Sequence, residues 1–278
     1  MPQEKMFLSI LSNIYVYSTE YRLERSLCSS MLLDLHVHTN ISFDSKIKIG
    51  NLLRKLKEIG LDVIAITDHN SYEAIPRAKE IASKYDVQVF RAIEISTKEG
   101  HILAYGVEER APYKKSIAET LEWIHDNGGI GICAHPFSLT SPSIGEQIYH
   151  HKFDGLEINA NCTQSANHAS ELASRLMNIP LIGGSDAHFI NNVGLISTYF
   201  YDEITNEDEL IAAIKKRNCE VRYRIPIRIQ AELIPPIPDE ELSIMDKFIE
   251  DKKQPEIPIL VEVVNGKSVR FFDNNSSK

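Results

Sequence analysis

Histidines and carboxylates recur at the ends of apolar segments along this chain. His36 and His38 close the segment LLDLHVHT (Leu32–Thr39). In a strand, side chains at i and i+2 share a face, so the two imidazoles can reach one cation. Asp44 follows in FDS, and IAITDH (Ile64–His69) ends in Asp68 and His69. Glu94 closes the apolar stretch of AIEIS, where an unpaired carboxylate would be costly. His101 opens HILAYG, and GICAHP (Gly131–Pro136) carries His135. GGSDAH (Gly183–His188) brings Asp186 and His188 at i and i+2, read as following a Gly turn.

Imidazole and carboxylate form the mixed ligand set that zinc, manganese and iron accept. A structural zinc closes with four ligands. The set His36, His38, Asp44, His69, Glu94, His101, His135, Asp186 and His188 is too large for one such ion. It implies two or three divalent ions with open positions, bridged by a carboxylate such as Glu94. The chain has no evident Ser-His-Asp series and no Gly-x-x-x-x-Gly-Lys-[Ser/Thr] loop. That leaves a metal-activated water as the nucleophile.

The elements that must hold these residues alternate. The pattern predicts strands at Leu32–His38, Asp62–Thr67, Gln88–Ser96, His101–Val107, Ile130–Ala134, Gly155–Asn159 and Leu181–Gly184. Amphipathic helices are expected at Ile49–Ile59, Tyr72–Tyr85, Ser116–Asn127 and Ala166–Met177, and another at Asn206–Arg217 with Asn206 as N-cap. Alternating strands and helices predict a parallel α/β sheet, and about seven units suggest a closed or distorted barrel. In such barrels the C-terminal strand ends build the site, which is where most of these polar residues fall.

Residues 1–30 read as an N-terminal extension and 31–225 as the α/β domain. Residues 226–278 read as a linker (Ile234–Asp239), a short acidic helix (Asp239–Lys252) and a β-hairpin over Ile257–Val264 and Lys267–Phe272 around Asn265-Gly266. This tail is expected to pack or oligomerise rather than bind a ligand.

The 278 residues are 43% hydrophobic and 25% charged, with a net charge of −9, which argues against broad nucleic-acid binding through a basic surface. Cys28, Cys133, Cys162 and Cys219 are scattered, as expected of reduced thiols in a cytoplasmic protein. No apolar run reaches the roughly 20 residues needed to span a bilayer. Met6–Tyr17 is interrupted by Ser9, Ser12 and Asn13, which speaks against a signal segment.

Other polar residues have two readings. Asp68 either orients a neighbouring ligand or caps the following helix. Asn159, Asn161 and His168 are candidate substrate contacts, or ordinary loop and helix residues. Arg91 and Lys98 could meet phosphate or face solvent. His125 suits a helix C-terminus, and His150 and His151 a surface.

The ordered series HVHT, FDS, TDH, AIEIS, GHILAYG, AHPF and GSDAH resembles the PHP (polymerase and histidinol phosphatase) family over about residues 31–200, with EINAN included. It looks most like the stand-alone metal-dependent phosphoesterases of that family. The resemblance implies a distorted seven-stranded (β/α) barrel with a trinuclear site of Mn, Zn or Fe. His36, His38, Glu94 and Asp186 would hold one ion. Glu94, His101 and His135 would hold a second, and Asp44, His69 and His188 a third. Asp44 matches the branch of the family that has Asp rather than His there. The expected activity is hydrolysis of a phosphomonoester, of a nucleotide or the end of a short oligonucleotide. The alternatives are a histidinol-phosphate phosphatase, an exonuclease, or a metal-stabilised scaffold without catalysis. The expected partner is a small phosphorylated substrate, with no membrane, no extended nucleic-acid surface, and self-association left open.

Overall fold

The computed structural model describes residues 30–61, 63–108 and 110–224, with residues 262–263 and 269–270. The chain divides into two compact units, Met1–Pro226 and Ile227–Lys278. In the first, the strands in chain order are β1 (Met31–Val37), β2 (Val63–Ile66), β3 (Gln88–Ser96), β4 (His101–Tyr105), β5 (Ile130–Cys133), β6 (Gly155–Asn159), β7 (Leu181–Gly184), β8 (Ile196–Phe200) and β9 (Cys219–Tyr223). The helices are α1 (Ile49–Ile59), α2 (Ala74–Ala82), α3 (Ile117–Asp126), α4 (Gln164–Met177) and α5 (Glu207–Lys215). In the second unit, Glu262–Val263 and Val269–Arg270 pair antiparallel, within the expected hairpin. The expected N-terminal extension, the linker, the acidic helix and the Asn265-Gly266 turn lie outside the described residues.

All seven expected strands form, but the sheet has nine, in the order β7-β6-β5-β4-β3-β2-β1-β8-β9. It is mixed rather than parallel. β3 and β4 run antiparallel because Thr97–Gly100 joins them as a tight connection, with the Thr97 amide and hydroxyl both donating to the Gly100 carbonyl. Four residues leave no room for the crossover that a parallel pair requires. β4 therefore runs backwards and places His101, at its start, beside the ends of its neighbours. The unanticipated strands are β8, antiparallel to β1, and β9, antiparallel to β8.

The sheet nearly closes. Beyond β7, the Asp186 amide donates to the His36 carbonyl at 2.7 Å and the His38 amide to the Ala187 carbonyl at 3.1 Å. One hydroxyl, that of Thr198 on β8, accepts from the Gly183 amide and donates to the Gly183 carbonyl. Gly183 and Gly184 thus close β7, within the expected strand Leu181–Gly184. They are small because the strands are close: a Cβ on Gly184 would lie 2.5 Å from that of His36 and 2.3 Å from Glu157 Oε1.

The inner core comprises Leu33 and Leu35 of β1, Val63 and Ala65 of β2, Phe90 and Ala92 of β3, and Leu103 and Tyr105 of β4. Leu210, Ala213 and Ile214 of α5 join it. α1 and α2 cover the outer side through Leu52, Leu53, Leu56, Ile75 and Ala78, against Ile64 and Ile66. Between Asp34 and Val37 the register of β1 against β2 slips: Asp34 faces Ile64, yet Val37 faces Ile66. This one-residue bulge reverses the alternation, as bulges beside functional sites commonly do. Leu33 and Leu35 point inward before it, whereas after it Val37 packs outward with Ile64 and Ile66. His36 and His38 consequently turn inward. The Tyr105 hydroxyl crosses the interior to donate to the Leu35 carbonyl at the bulge, 2.8 Å away.

Replacing Gly184 by Ala forces its Cβ against β1, and overpacking of this kind costs about 1–3 kcal/mol. Urea unfolding of G184A should show a lowered midpoint; a midpoint equal to that of the parent would mean that the closure is looser than described.

Candidate metal centre

Nine side chains meet at the end of the sheet opposite α5. Glu94, delivered by β3, lies at their middle and is 1% exposed. Its Oε2 is 3.4 Å from His36 Nε2, 3.2 Å from His38 Nε2 and 3.0 Å from His69 Nδ1. Its Oε1 is 2.9 Å from His101 Nδ1 and 3.1 Å from His135 Nε2. Asp186 Oδ1 completes one side at 3.4 Å from His36 Nε2 and 3.2 Å from His38 Nε2. On the other side Asp44 Oδ2 is 3.3 Å from His69 Nε2 and 3.2 Å from His188 Nε2. Asp186 and His188 therefore serve different sides of the cluster, despite their i, i+2 spacing.

The backbone is bent to deliver these groups. His135 has φ 31° and Asp186 φ 49°, left-handed values that cost an L residue energy. Bonds from neighbours hold both: the His135 amide donates to Glu157 Oε2 at 2.8 Å, and the Asp186 amide to the His36 carbonyl.

The hydrogen bonds assign the imidazole tautomers. Ser42 Oγ has one proton, which goes to Asp68 Oδ1 at 2.8 Å, so the 3.0 Å contact with His38 Nδ1 has the histidine as donor. His36 Nδ1 donates to Glu157 Oε1 at 2.8 Å, and His188 Nδ1 to the Asp186 carbonyl at 2.9 Å. With Nδ1 committed outward in each of these three rings, Nε2 is the atom directed into the cluster, as a ligating histidine requires. The Nε2 atoms of His36 and His38 stand only 3.0 Å apart, so a positive charge is needed between them. Further, Glu94 Oε2, His69 Nδ1 and His101 Nδ1 are buried without a hydrogen-bond partner among the described residues. Buried groups of this kind are normally satisfied. Orphaned donor atoms that converge across about 3 Å fit ions bound at roughly 2 Å from each ligand. Three overlapping triads, His36/His38/Glu94, His38/His69/His188 and His69/Glu94/His101, each bring three ligand atoms within 4.8 Å of one another.

Electrostatics point the same way. Burial alone would lower His36 and His38 and raise Glu94. Instead, the carboxylates of Glu157, Asp186 and Glu94 hold His36 well above its usual value. Bonds to Asp186 and Glu94 lift His38 to about 9. The charges of His36 and His101 hold Glu94 well below the carboxylate range, and Asp186 is lowered by His36 and His38. The cluster favours positive charge at its centre.

The surrounding residues divide clearly. Asp68 is buried and accepts from the Thr39 amide at 2.7 Å, the Thr39 hydroxyl at 2.6 Å and Ser42, so it orients the His38 loop; α2 takes no cap from it. The Asn159 amide donates to Glu157 at 3.0 Å and Asp186 at 3.2 Å, and Asn161 donates to the Asp186 carbonyl. Both asparagines thereby support Asp186. His168 lies on α4 with Nδ1 3.4 Å from Glu171, and no hydrogen bond joins it to the cluster. His125 pairs with Asp154 at 2.8 Å, and Arg91 with Glu108 at 2.9 Å.

Two residues escaped the sequence reading. Glu157, fully buried, ties together His36, the His135 amide and Asn159. Its signal was a carboxylate inside the apolar strand GLEIN, the same signal that marked Glu94. Asp34, also fully buried, accepts from the amides of Ser185 (2.9 Å) and Gly194 (2.8 Å), locking β1 to the segment that carries Asp186. Burial pushes its carboxyl up to about 6 against these bonds.

Comparison with known proteins places this geometry. The family model described as PHP domain matches residues 34–215. The uncharacterized protein MJ1587 of Methanocaldococcus jannaschii is 34% identical over 138 residues, covering 46% of this chain and 81% of that one. The phosphoribosyl 1,2-cyclic phosphate 1,2-diphosphodiesterase of Eggerthella lenta is 34% identical over 104 residues, which is 35% of this chain but only 39% of that enzyme. Among solved structures, PsfC from Pseudomonas syringae shares the fold, with a TM-score of 0.59 at 14% identity over 80% of this chain and 98% of that one. Among the described residues no helix is long and apolar enough to cross a membrane.

Glu157→Ala would orphan the His135 amide, the His36 Nδ1 proton and the Asn159 amide. At about 1–3 kcal/mol for each buried orphan, the loss should reach roughly 3 kcal/mol or more. Glu157→Gln, which keeps one acceptor, should lose less. Chemical denaturation of the two variants reads the difference; equal losses would remove the acceptor role.

Proposed function

Because this chain belongs to the PHP domain family, we propose that it is a metal-dependent phosphoesterase whose nine-residue cluster holds three divalent ions of manganese, zinc or iron. His36, His38, Glu94 and Asp186 hold one ion, and Glu94, His101 and His135 a second across the Glu94 bridge. Asp44, His69 and His188 hold the third. The observation that carries this reading is the set of buried, unpaired donor atoms converging on Glu94. Bound divalent ions supply a water of lowered pKa as nucleophile and positive charge for the phosphoryl oxygens.

The residues supply the rest. Glu157 and Ser42 fix His36 and His38 in the tautomer that offers Nε2. Asp44 and His188, with side chains 34% and 20% exposed, form the open side through which a phosphate reaches the cluster. His36, Glu94 and Asp186 are nearly closed to solvent and hold the opposite side. The domain so defined is residues 31–225, and its substrate is the phosphomonoester of a nucleotide or of an oligonucleotide end. A net charge of −9 disfavours a long nucleic-acid track. A second reading is hydrolysis of a cyclic phosphodiester, favoured by the similarity to the diphosphodiesterase.

Chelation should abolish phosphoesterase activity and Mn2+ should restore it, with at least two ions per chain by elemental analysis. His36→Ala should lose ion content and at least about 100-fold in kcat/KM, the upper end of what even an outer-shell change costs. Full activity in that variant would remove the assignment. A panel of nucleoside 5′- and 3′-monophosphates, 3′,5′-bisphosphates, short RNA, histidinol phosphate and a ribose 1,2-cyclic phosphate separates the substrate readings.

A further inference from the structure

Three of the large apolar side chains left exposed stand on the loops that deliver the cluster. Phe43, 91% exposed, precedes Asp44; Phe189, 56% exposed, follows His188; and Leu139, 86% exposed, lies four residues beyond His135. Isolated apolar residues on a surface are ordinary, but Phe43 is stacked on a member of the cluster. Its ring lies over that of His69, centroids 5.6 Å apart and planes inclined by 24°. At 91% exposure its other face is open. His69 in turn places Nδ1 3.0 Å from Glu94 and Nε2 3.3 Å from Asp44. A planar group laid on the open face of Phe43 would sit beside the Asp44–His69–His188 side of the cluster, the side open to solvent. Phe189 is attached to the same side, since His188 Nε2 is 3.2 Å from Asp44.

We propose that Phe43, seconded by Phe189, is a stacking platform for the nucleobase of a phosphoester held at the cluster, and so determines substrate specificity. This rests on the phosphoesterase reading of the cluster. Stacking on an aromatic ring suits any base, because every base presents a π-face. The exposed polar residues Thr140 and Asn191 flank Leu139 and Phe189 and interrupt the apolar surface. A stable self-association would need on the order of 800 Å² per partner, and a platform for one planar group needs far less.

The test compares adenosine 5′-monophosphate with ribose 5-phosphate, using the full-length Mn2+-loaded protein. The parent should prefer the nucleotide in kcat/KM. In Phe43→Ala that preference should fall by roughly 5- to 150-fold, the usual worth of a stacked base, and in Phe43→Trp it should persist. Binding is read separately on rapid mixing, before turnover, with the Mn2+-loaded Phe43→Trp protein, against a Phe43 background that carries only Trp123. The new indole emission should be quenched by adenosine 5′-monophosphate and not by ribose 5-phosphate. Equal turnover of the two esters by the parent, an unchanged preference in Phe43→Ala, or equal quenching would overturn the platform. So would a Phe43→Ala effect confined to oligomeric state in sedimentation. Absence of Mn2+-dependent turnover of every ester would instead overturn the phosphoesterase reading, and the quenching would still report on the platform.

Discussion

A buried carboxylate surrounded by imidazoles is the constraint on which the rest of this structure depends. Glu94 is 1% exposed and has five histidine nitrogens within 3.4 Å, three about Oε2 and two about Oε1. A charge in such a place is tolerated only with compensating charge and well-placed partners. The chain meets that demand from many directions at once. β1, β3 and β4, together with the segments that follow β1, β2, β5 and β7, each bring a donor to the same small volume. The loops that carry these donors are bonded internally, as in the Ser42–Thr39 and Ser138–His135 turns.

Much of the fold exists to deliver those donors at the right angle. The β1 bulge turns His36 and His38 inward, and the Tyr105 hydroxyl satisfies the carbonyl that lies there. The reversal of β4 brings His101 to the site end of the sheet. The left-handed backbones of His135 and Asp186 are held by bonds to Glu157 and to His36. Around this shell Asp34, Asp68 and Glu157 form a second tier of buried carboxylates, each accepting from backbone amides and each steering a different loop. Second-tier partners of this kind commonly fix ring orientation and tautomer in metal centres.

The sequence made the donors legible. Histidine and carboxylate at the ends of apolar strands are conspicuous, and every one of the nine so identified lies in the cluster. Helix limits were also readable where local chemistry sets them. Gly60 ends α1 in a left-handed conformation, Ser116 and Glu119 form a capping box on α3, and the Asn206 side chain caps α5. Less was visible where a residue's task is set by distant neighbours. Asn159 and Asn161 read as substrate contacts or as ordinary loop residues, and only the fold shows that their amides hold Asp186 and Glu157. Gly183-Gly184 fell within an expected strand, but that β1 and β8 press there too closely for a side chain was not visible.

By itself, then, the sequence determined which imidazoles and carboxylates gather, which segments are strands and helices, and that they gather at the strand ends. Those properties depend on neighbours one to four residues away along the chain. Tertiary structure alone decided the strand count, the direction of β4, the parity of β1 and the tautomers of His36 and His38. Each of these is fixed by pairing or hydrogen bonding between residues far apart in sequence: His36 with Glu157, Asp34 with Ser185, Gly183 with Thr198. Local pattern is blind to such contacts, because a one-residue slip in register inverts every side chain beyond it.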